Sequence, residues 1–386
     1  MKANDLTILL TLKGRHLHTL RWLWHADRIR LPFHVIVADG EVHPAIARLL
    51  SNPDTFPNLS FEYHRYDDKS YSEFFRKCVD ALGKVRTPYV MMSDNDDFLF
   101  ASGLQKSLAF LEGAPAYVCA GAGIPGFSID PQQGPIRNLV GTFGRICYRY
   151  INDGSYRCRD LDNPSVALRT LDELNNYHSI YYSVYRIQIL RLISEEIQAH
   201  DFSDLDIHER YWALRTVTLG RARSDPSHFS CFRQQGTSLQ LSFTVDWVHH
   251  LLRSRVPQDF AAMASTIARE AAKTDGSDQS ELEERIREGY ASILRRMLAG
   301  TMMRHRFPRL FALKQRLLAL PRFRIPAPLR RKLDKKKLWE QLAADGATAE
   351  QIVAHARELD DIEATLQGDE FIEFVSRNAP ELLATA

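Results

Sequence analysis

Apolar residues recur along the first hundred positions in short runs that alternate with helix-like patterns. A fully apolar or alternating run is typical of a strand, whereas apolar residues three or four positions apart are typical of a helix. The predicted strands lie at 6–12, 34–38, 59–66 and 88–92. The predicted helices between them lie at 17–27, 44–50 and 70–82. This β-α-β-α-β-α-β order predicts an α/β fold with an open, mostly parallel sheet covered by helices on both faces.

The pattern is weaker after residue 98. It predicts a helix, a strand, a loop rich in Gly and Pro, and two further helices, at 104–112, 117–120, 121–145, 177–197 and 209–220. From residue 245 onward the pattern is helical, with breaks at several prolines. The chain therefore divides into a predicted α/β domain over 1–243 and a helical C-terminal region over 244–386.

Composition and hydropathy are those of an ordinary globular protein. The 386 residues are 45% hydrophobic and 25% charged, enough for a large core. No apolar run reaches the roughly 18 to 20 residues of a membrane-spanning helix, and the first residues have no signal-peptide cleavage pattern. We therefore expect a cytoplasmic location. The five cysteines are scattered and contain no C-x-x-C pair, so neither a disulfide framework nor a cysteine zinc site is expected.

The net charge is only +2, but the charge is unevenly distributed over the C-terminal region. Residues 304–337 contain thirteen Lys or Arg and one acid, whereas 338–386 contain eleven acids and two bases. The basic stretch is interleaved with apolar residues, a pattern typical of helices on anionic membrane surfaces. Two interpretations stay open: peripheral docking at the inner face of the cytoplasmic membrane, or pairing of the basic and acidic stretches within the chain. No recognised nucleic-acid module accompanies the bases, which disfavours nucleic acid as a partner.

The strongest local feature is the segment Y-V-M-M-S-D-N-D-D-F at 89–98. It puts Asp94, Asp96 and Asp97 at the carboxyl end of an apolar strand, where ligands of parallel sheets bind. Carboxylates so close together repel one another unless a cation or protonation relieves the repulsion. With no His or Cys nearby, Mn²⁺ or Mg²⁺ is expected rather than zinc. The alternative is an acidic turn that caps the next helix through Asp97 or Ser102.

Three segments together resemble a known family. They are the first loop at 11–15, V-x-V-A-D-G at 35–40 and T-P-Y-V-x-x-x-D-x-D-D-F-L at 87–99. Over residues 5–236 the chain resembles the donor half of GT-A glycosyltransferases, in particular family 2-like enzymes of bacterial polysaccharide synthesis. The resemblance implies a GT-A fold, a metal ion held by the D-x-D carboxylates at the donor diphosphate, and an early aspartate that contacts the nucleoside.

The resemblance assigns the donor-binding carboxylates. It makes Asp94 and Asp96 the D-x-D and Asp39 the nucleoside contact. The spacing to the following Phe equally allows Asn95, Asp96 and Asp97 to fill the motif, so both registers stay open. Asp96 belongs to both registers and is therefore the central expected metal ligand.

The first loop takes the place of the family's P-x-Y-N but has neither Pro nor Asn. The resemblance implies that Thr11 faces the base of the donor and that Lys13 or Arg15 lies near its phosphates. Lys77, on the helix before the acidic strand, is a further candidate for a donor contact. The alternatives are a solvated basic loop and a surface lysine.

A second stretch that resembles the family runs from Asp204 to Arg215 and opens a predicted helix. It corresponds to the family's E-D segment, with His208 and Glu209 in place of the acidic pair. In inverting members this acid takes the proton from the attacking acceptor hydroxyl. Glu209 is therefore the candidate general base, and Asp206 is the alternate. The helix dipole alone also explains an acid in a first helical turn.

Residues 219–234 resemble the family's closing strand, an L-x-G followed by an aromatic residue and Arg. Arg233 is the candidate for contact with the diphosphate, because a guanidinium fork matches phosphate oxygens. His228 is a candidate for completing the metal shell, although a lone histidine is more often structural.

These features predict a metal-dependent, inverting glycosyltransferase that moves a sugar from a nucleotide-sugar donor to a glycan or lipid-linked glycan, with Mn²⁺ or Mg²⁺ as cofactor. Two alternatives stay open. A sugar-nucleotide pyrophosphorylase shares the sheet but needs a Gly-rich phosphate loop, and residues 11–16 contain one glycine. A sugar-nucleotide-binding module without catalysis explains the altered first loop. The donor sugar, the acceptor and the linkage do not follow from the sequence.

Overall fold

The computed structural model describes residues 5–129, 142–149, 158–177, 180–235, 255–307 and 335–384. The strands are β1 (Leu6–Leu12), β2 (His34–Asp39), β3 (Phe61–Arg65), β4 (Tyr89–Ser93), β5 (Phe98–Leu99), β6 (Tyr117–Gly123), β7 (Gly126–Ile129), β8 (Ile146–Arg149), β9 (Val184–Arg186), β10 (Arg221–Phe229) and β11 (Cys231–Gln234). The α-helices are α1 (His16–Arg28), α2 (Pro44–Leu50), α3 (Tyr71–Lys84), α4 (Ala101–Gly113), α5 (Val166–Asn175), α6 (Ile187–His200), α7 (Leu205–Leu219), α8 (Val256–Asp275), α9 (Gln279–Arg306), α10 (Lys335–Ala344), α11 (Ala349–Gln367), α12 (Asp369–Asn378) and α13 (Glu381–Ala384).

The larger of two sheets has the strand order β10-β6-β9-β4-β1-β2-β3. Strand β9 runs antiparallel to its neighbours β4 and β6, and the other pairs are parallel. Strand β1 lies between β4 and β2, with Leu10 opposite Ser93 on one side and Thr11 opposite Ala38 on the other. The predicted α/β fold, a mostly parallel sheet flanked by helices, is therefore confirmed.

The central strand β1 is buried along its whole length, as expected of a parallel strand that is covered on both faces. Its side chains alternate between two cores. Ile8 and Leu10 enter the core that contains residues of α1 and α2, whereas Leu9 enters the core that contains residues of α3, α6 and α7. Burying one such side chain stabilises the fold by about 1.5–3 kcal/mol. The buried strand β1 therefore fixes the position at which the following loop begins.

Two predictions about the middle of the chain are wrong. The segment 177–197 is not one helix, because β9 lies inside it and α6 begins only after β9. The segment 121–145 is not wholly a loop, because β6 extends into it and β7 lies within it; its residues 130–141 are outside the described residues. In both places the pairing with distant strands overrides the local pattern.

A second sheet, which the sequence pattern does not predict, has the order β5-β11-β7-β8. Strand β5 directly follows the acidic segment and pairs antiparallel with β11. One side of this small sheet is apolar, with Phe98, Phe127 and Phe232 in a core that also contains Leu359 and Leu366 of α11. The helices near the end of the chain thus cover the sheet that continues from the acidic segment.

The described parts of the C-terminal region after residue 255 are helical, as predicted. Helix α8 packs on α5 and α7, α9 packs on α5, and α11 packs on α4 and α1. At the start of α4, the N–H and the hydroxyl of Ser102 donate to Glu358 of α11 at 2.8 and 2.6 Å. These contacts join the helical region closely to the α/β part, and the boundary at 243 stays a prediction.

No α-helix in the described ranges is long and apolar enough to cross a membrane. Most of the basic stretch 304–337 lies outside the described residues, so its docking to an anionic membrane stays a prediction. Lys335, near its end, forms ion pairs with Asp360 and Glu363 of α11. At this residue the basic stretch pairs with the acidic stretch of the same chain.

Replacing Leu359 with Ala should lower the free energy of unfolding by about 2–5 kcal/mol, because its side chain is fully buried beneath the small sheet. Val353→Ala is the matched control on the same helix, where the side chain is 48% exposed. It should change the free energy of unfolding by less than about 0.5 kcal/mol. Urea unfolding followed by circular dichroism measures both variants. Equally small effects would mean that α11 is not part of the folded core.

Candidate functional site

The strand order of the larger sheet changes direction between β1 and β4. From β1 the chain builds β2 and β3 on one side and then crosses to build β4 on the other. In open α/β sheets, ligands bind outside the carboxyl ends of the strands at such a switch point. The first loop leaves the carboxyl end of β1, and the acidic segment 94–97 leaves the carboxyl end of β4. The two predicted motifs therefore meet at the switch point.

Asp94, Asp96 and Asp97 form a carboxylate cluster in which one oxygen from each residue lies within 4.8 Å of the others. Asp96 and Asp97 are buried, and Asp94 is half-buried. Burial and then the charge of Asp96 raise the pKa of Asp94, and the same two causes raise the pKa of Asp97 well above its usual range. Such an arrangement favours a bound cation, because a cation relieves the repulsion between the carboxylates.

Hydrogen bonds hold some of the cluster's oxygens and leave others available. The Tyr182 hydroxyl donates to Asp94 Oδ2 at 2.9 Å, and the backbone N–H of Gln234 donates to Asp97 Oδ1 at 2.8 Å. Asp97 Oδ2 is buried and has no hydrogen-bond partner among the described residues. Leaving a buried acceptor unpaired costs about 1–3 kcal/mol, and coordination to a cation removes that cost. This oxygen-only donor set fits Mn²⁺ or Mg²⁺.

The alternative that the acids cap the following helix is wrong. Helix α4 begins after Phe100, which makes no side-chain capping bond. Ser102 does not cap the helix either, because its own N–H and hydroxyl donate to Glu358. Asp97 accepts from Gln234, on β11.

Three arginines accompany the three carboxylates. Arg15 Nη1 lies 2.6 Å from Asp96 Oδ2. Arg233 lies with its guanidinium carbon 5.5 Å from the centre of the Tyr182 ring, and its charge acts to lower the pKa of Asp94 and Asp97. Arg21, which the sequence interpretation missed, is fully buried and donates to the carbonyl oxygen of Asp96. The one signal for it in the sequence is a charged residue within the apolar helical pattern of 17–27.

The first loop is held in a fixed turn. Gly14 and Arg15 have φ angles of 63° and 52°, in the left-handed region. The Asn95 side-chain amide donates to the Gly14 carbonyl at 3.3 Å and to Thr19 Oγ1 at 3.0 Å. Thr11 is buried and hydrogen-bonds to a tyrosine side chain, at position 181. Asn95 therefore anchors the loop and need not be a metal ligand.

Lys77 lies behind the first loop. Its side chain is 1% exposed, and its amino group donates to the Leu12 carbonyl at 2.8 Å and pairs with Asp68. The amino group of Lys13 donates to the Asp68 carbonyl. The surface-lysine alternative for Lys77 is therefore wrong. Both lysines fix the position of the chain as it leaves β1.

Asp39 lies buried at the carboxyl end of β2, next to the first loop. Its Oδ1 accepts from the Glu41 N–H at 3.1 Å, and its Oδ2 accepts from the Tyr63 hydroxyl at 2.9 Å. Burial raises the pKa of Asp39. The rings of His16 and His43, whose centres are 4.7 Å apart, are neighbours that the sequence interpretation missed. The charge of His16 acts on Asp39, so the two residues are close in space.

The two candidate general bases lie in the first turns of α7. Glu209 is half-buried. Asp206 Oδ2 accepts from Arg210 Nε at 2.8 Å and from the Tyr290 hydroxyl at 3.4 Å. Asp206 is thus already engaged by two donors, one of them from α9.

Aromatic rings connect α7 to the carboxylate cluster. The ring of Trp212, one turn after Glu209, lies 5.5 Å from that of Tyr181, which lies 5.0 Å from the ring of Tyr182. Tyr182 in turn donates to Asp94. His208 belongs to the core, because it is 2% exposed and stacks on the ring of a phenylalanine in α3 at 4.3 Å. Of the two residues that take the place of the family's acidic pair, Glu209 is half-buried and His208 is buried.

The structure does not bring His228 to the carboxylate cluster. Its Nε2 lies 3.3 Å from Ser107 Oγ, and its Nδ1 lies 3.7 Å from Asp225. The group of possible metal ligands found among the described residues contains the three aspartates and not this histidine. The expectation of a metal ligand at His228 fails because β10 directs the ring toward α4.

Three buried histidines should make the folded protein sensitive to mild acid. Burial is the first cause that lowers the pKa of His25 and His228 to about 3 and that of His208 to about 4. In the unfolded chain their pKa is about 6.5. Below that pH the unfolded state binds more protons, so stability present above about pH 6.5 is lost as the pH falls, by about 1.4 kcal/mol per pH unit for each histidine.

Urea unfolding of the wild type and of His25→Gln between pH 7.5 and 5 measures this loss. The difference between the two stability-against-pH profiles gives the contribution of His25 alone. It removes the contribution of the carboxylates, whose raised pKa values increase the stability as the pH falls. We expect the variant to lose less stability than the wild type on acidification. Parallel profiles would contradict a neutral, buried His25.

The fold and the site define an α/β protein with a cluster of three carboxylates at the switch point of a mostly parallel sheet. No protein-family model matches the chain, and no curated protein matches it. Among solved structures it is similar to S. aureus TarS 1-349 in complex with UDP-GlcNAc, with a TM-score of 0.46, 10% identity, and coverage of 94% of this chain and 90% of that one.

Two further solved structures are similar at comparable levels. For the mannosyltransferase PcManGT from Pyrobaculum calidifontis in complex with GDP-Man and Mn²⁺, the TM-score is 0.39 and the identity 12%, with coverage of 92% of this chain and 87% of that one. For the longer S. aureus TarS, the TM-score is 0.44 and the identity 11%; this chain spans 54% of that chain's length, with 94% of its own residues covered.

Proposed function

We propose that the chain is a GT-A-type glycosyltransferase of the family 2-like kind, which transfers a sugar from a nucleotide-sugar donor to a glycan or lipid-linked glycan. The observation that carries the proposal is the carboxylate cluster at the switch point. One oxygen from each carboxylate lies within 4.8 Å of the others, and one buried oxygen is unpartnered among the described residues. Carboxylates combined with phosphate oxygens are the ligands that Mg²⁺ and similar hard cations take in nucleotide sites.

In the proposed reaction the acceptor oxygen forms a bond to the anomeric carbon, and the bond from that carbon to the donor diphosphate breaks. Asp94, Asp96 and Asp97 would hold a divalent cation, which would supply positive charge to offset the negative charge on the departing diphosphate. Arg233, and Arg15 after it leaves Asp96, bind phosphate oxygens, since a guanidinium fork matches them.

Asp39 and Thr11 orient the nucleoside from the ends of β2 and β1. Glu209 takes the proton of the acceptor hydroxyl as it attacks. Asp206 is the weaker candidate for this step, because Arg210 and Tyr290 already donate to it. A single displacement of this kind inverts the configuration at the anomeric carbon.

A sugar-nucleotide-binding module without catalysis is the second candidate. The observation that favours it is the ion pair between Arg15 and Asp96 at 2.6 Å, which puts a cation of the chain itself on an expected metal ligand. In that case the donor diphosphate binds through the arginines alone, and donor binding does not require a metal ion.

Melting temperatures measured with a panel of uridine and guanosine diphosphate sugars, each with Mn²⁺, Mg²⁺ or EDTA, test the proposal. A ligand present at 100 times its dissociation constant stabilises the native state by about 2.7 kcal/mol. A metal-dependent rise together with release of free sugar supports the transferase. A rise that persists in EDTA without release supports the binding module. Formation of a nucleoside triphosphate from donor and pyrophosphate identifies a pyrophosphorylase, and no rise with any donor contradicts all three.

A further inference from the structure

Arg21 carries the most deeply buried positive charge next to the candidate site. It lies on the inward face of α1, and its side chain is completely inaccessible to solvent. No carboxylate in the described parts of the chain is within ion-pair distance of its guanidinium. Burying a charged group without a direct counter-ion is costly, so the position of this residue needs an explanation.

The guanidinium of Arg21 joins three separate segments. Nη1 donates to the Thr142 carbonyl at 2.7 Å, and Nη2 donates to the Asp96 carbonyl and to Gln234 Oε1, both at 2.8 Å. The Phe98 ring packs 4.9 Å from its guanidinium carbon. One side chain on α1 therefore fixes the acidic segment relative to the end of β11.

The link to β11 leads back to the carboxylate cluster. Gln234 accepts from Arg21 through its side chain and donates to Asp97 Oδ1 through its backbone N–H, both at 2.8 Å. Arg21 thus holds the backbone at Asp96 directly and the carboxylate of Asp97 through Gln234. Burial lowers the pKa of Arg21 to about 9, while Asp96 and Asp97 act to raise it, so the group is protonated at neutral pH.

We propose that Arg21 is a positioning residue for the cation site. By fixing Asp96 and, through Gln234, Asp97, it keeps the carboxylates at the spacing that one divalent cation needs. The inference rests on the proposed function, because it takes the carboxylate cluster as the cation site. Helix α1 contributes no expected metal ligand, but through Arg21 it would control the affinity of the site for the cation.

The test uses the whole 386-residue chain and Mn²⁺ alone, with free Mn²⁺ measured by electron paramagnetic resonance. Arg21→Met and Arg21→Lys should each weaken Mn²⁺ binding by about 10- to 100-fold, the usual effect of losing a group that orients metal ligands. Arg215→Met is the matched control. Arg215 is a buried arginine bonded to Glu196 at 2.7 and 2.8 Å, and its loss should lower the melting temperature without changing Mn²⁺ affinity.

Gln234→Leu tests whether Arg21 acts on Asp97 through Gln234. It can be measured even if Arg21→Met does not fold. It removes the side-chain acceptor of Arg21 and leaves the backbone N–H that serves Asp97. If Arg21 acts through Gln234, the double variant Arg21→Lys/Gln234→Leu should bind Mn²⁺ about as weakly as the weaker single variant. Effects that multiply would overturn that route.

Three other outcomes separate this inference from the proposed function. Wild-type Mn²⁺ affinity in all Arg21 variants would overturn the inference and leave the metal-dependent transferase intact. Absence of Mn²⁺ binding by the wild type would overturn the inference together with the metal requirement, while donor binding in EDTA would still report on the binding module. Mn²⁺ binding without turnover would contradict the transferase and leave the role of Arg21 standing.

Discussion

Asp97→Asn should abolish Mn²⁺ binding and leave the protein at least as stable as the wild type. The amide keeps an oxygen for the Gln234 N–H, which lies 2.8 Å away, but removes one charge from the carboxylate cluster. Burial and the charge of Asp96 disfavour the ionised form of Asp97, as its raised pKa indicates. Removing the charge therefore relieves an unfavourable interaction in the metal-free protein. Cation affinity and stability should move in opposite directions.

A Mn²⁺ titration and a melting curve on the same sample measure the two effects. We expect affinity to fall by more than about 100-fold, beyond the usual effect of an outer residue. Asp67→Asn is the control, since the Asp67 side chain is 73% exposed and pairs with Lys69. Its Mn²⁺ affinity should equal that of the wild type. An unchanged affinity in Asp97→Asn would remove Asp97 from the metal site. Asp96→Asn should also lose metal binding, but it frees Arg15 as well and is harder to interpret.

Glu209→Gln should reduce turnover by about 10² to 10⁴ while leaving donor binding nearly unchanged. The substitution keeps the size of the side chain and removes its capacity to take a proton. Because the proposed donor contacts lie at the ends of β1, β2 and β4, the Michaelis constant for the donor should not change. Hydrolysis of the nucleotide sugar, with water in place of the acceptor, measures the rate even before the acceptor is known.

Asp206→Asn separates the two candidate bases. It weakens the bond to Arg210 at 2.8 Å, so we expect a lower melting temperature and nearly normal turnover. Loss of turnover in Asp206→Asn, with Glu209→Gln fully active, would assign the base to Asp206. Full activity in both variants would exclude a base mechanism through α7.

The first half of the large sheet was predictable because its information is local. Strands β1, β2 and β4 are apolar runs, and β3 alternates apolar with polar residues. Helices separate these strands, and each strand follows its predecessor within a short stretch of chain. Strand β9 and the small sheet were not predictable in this way. Their strands have two to four residues, and β5 pairs with β11 more than a hundred positions away. Strands this short contain too few side chains to show a repeating hydrophobic pattern. Their conformation is set by the strands with which they pair.

The residues of the site also differ in whether a local sequence pattern or contacts with distant positions reveal them. Asp94, Asp96 and Asp97 are visible in the sequence because three acids follow one apolar strand. Arg21 is not, because its partners lie at positions 96, 142 and 234, and a charged residue in a helix normally faces solvent. Lys77 was assigned to the surface or to the donor for the same reason, although Asp68 holds it in the interior.

The cover that α11 provides for the small sheet has a consequence for biosynthesis. Thr365 contacts His25 across 340 positions of sequence, and the phenylalanines that follow the acidic segment are buried partly by α11. At about 5–20 residues per second, a ribosome needs on the order of tens of seconds to make the intervening chain. During that time the acidic segment has been synthesised, but the apolar face behind it is uncovered. The proposed cation site should therefore be one of the last parts of the nascent protein to mature, and the uncovered phenylalanines are the surface on which a chaperone would act.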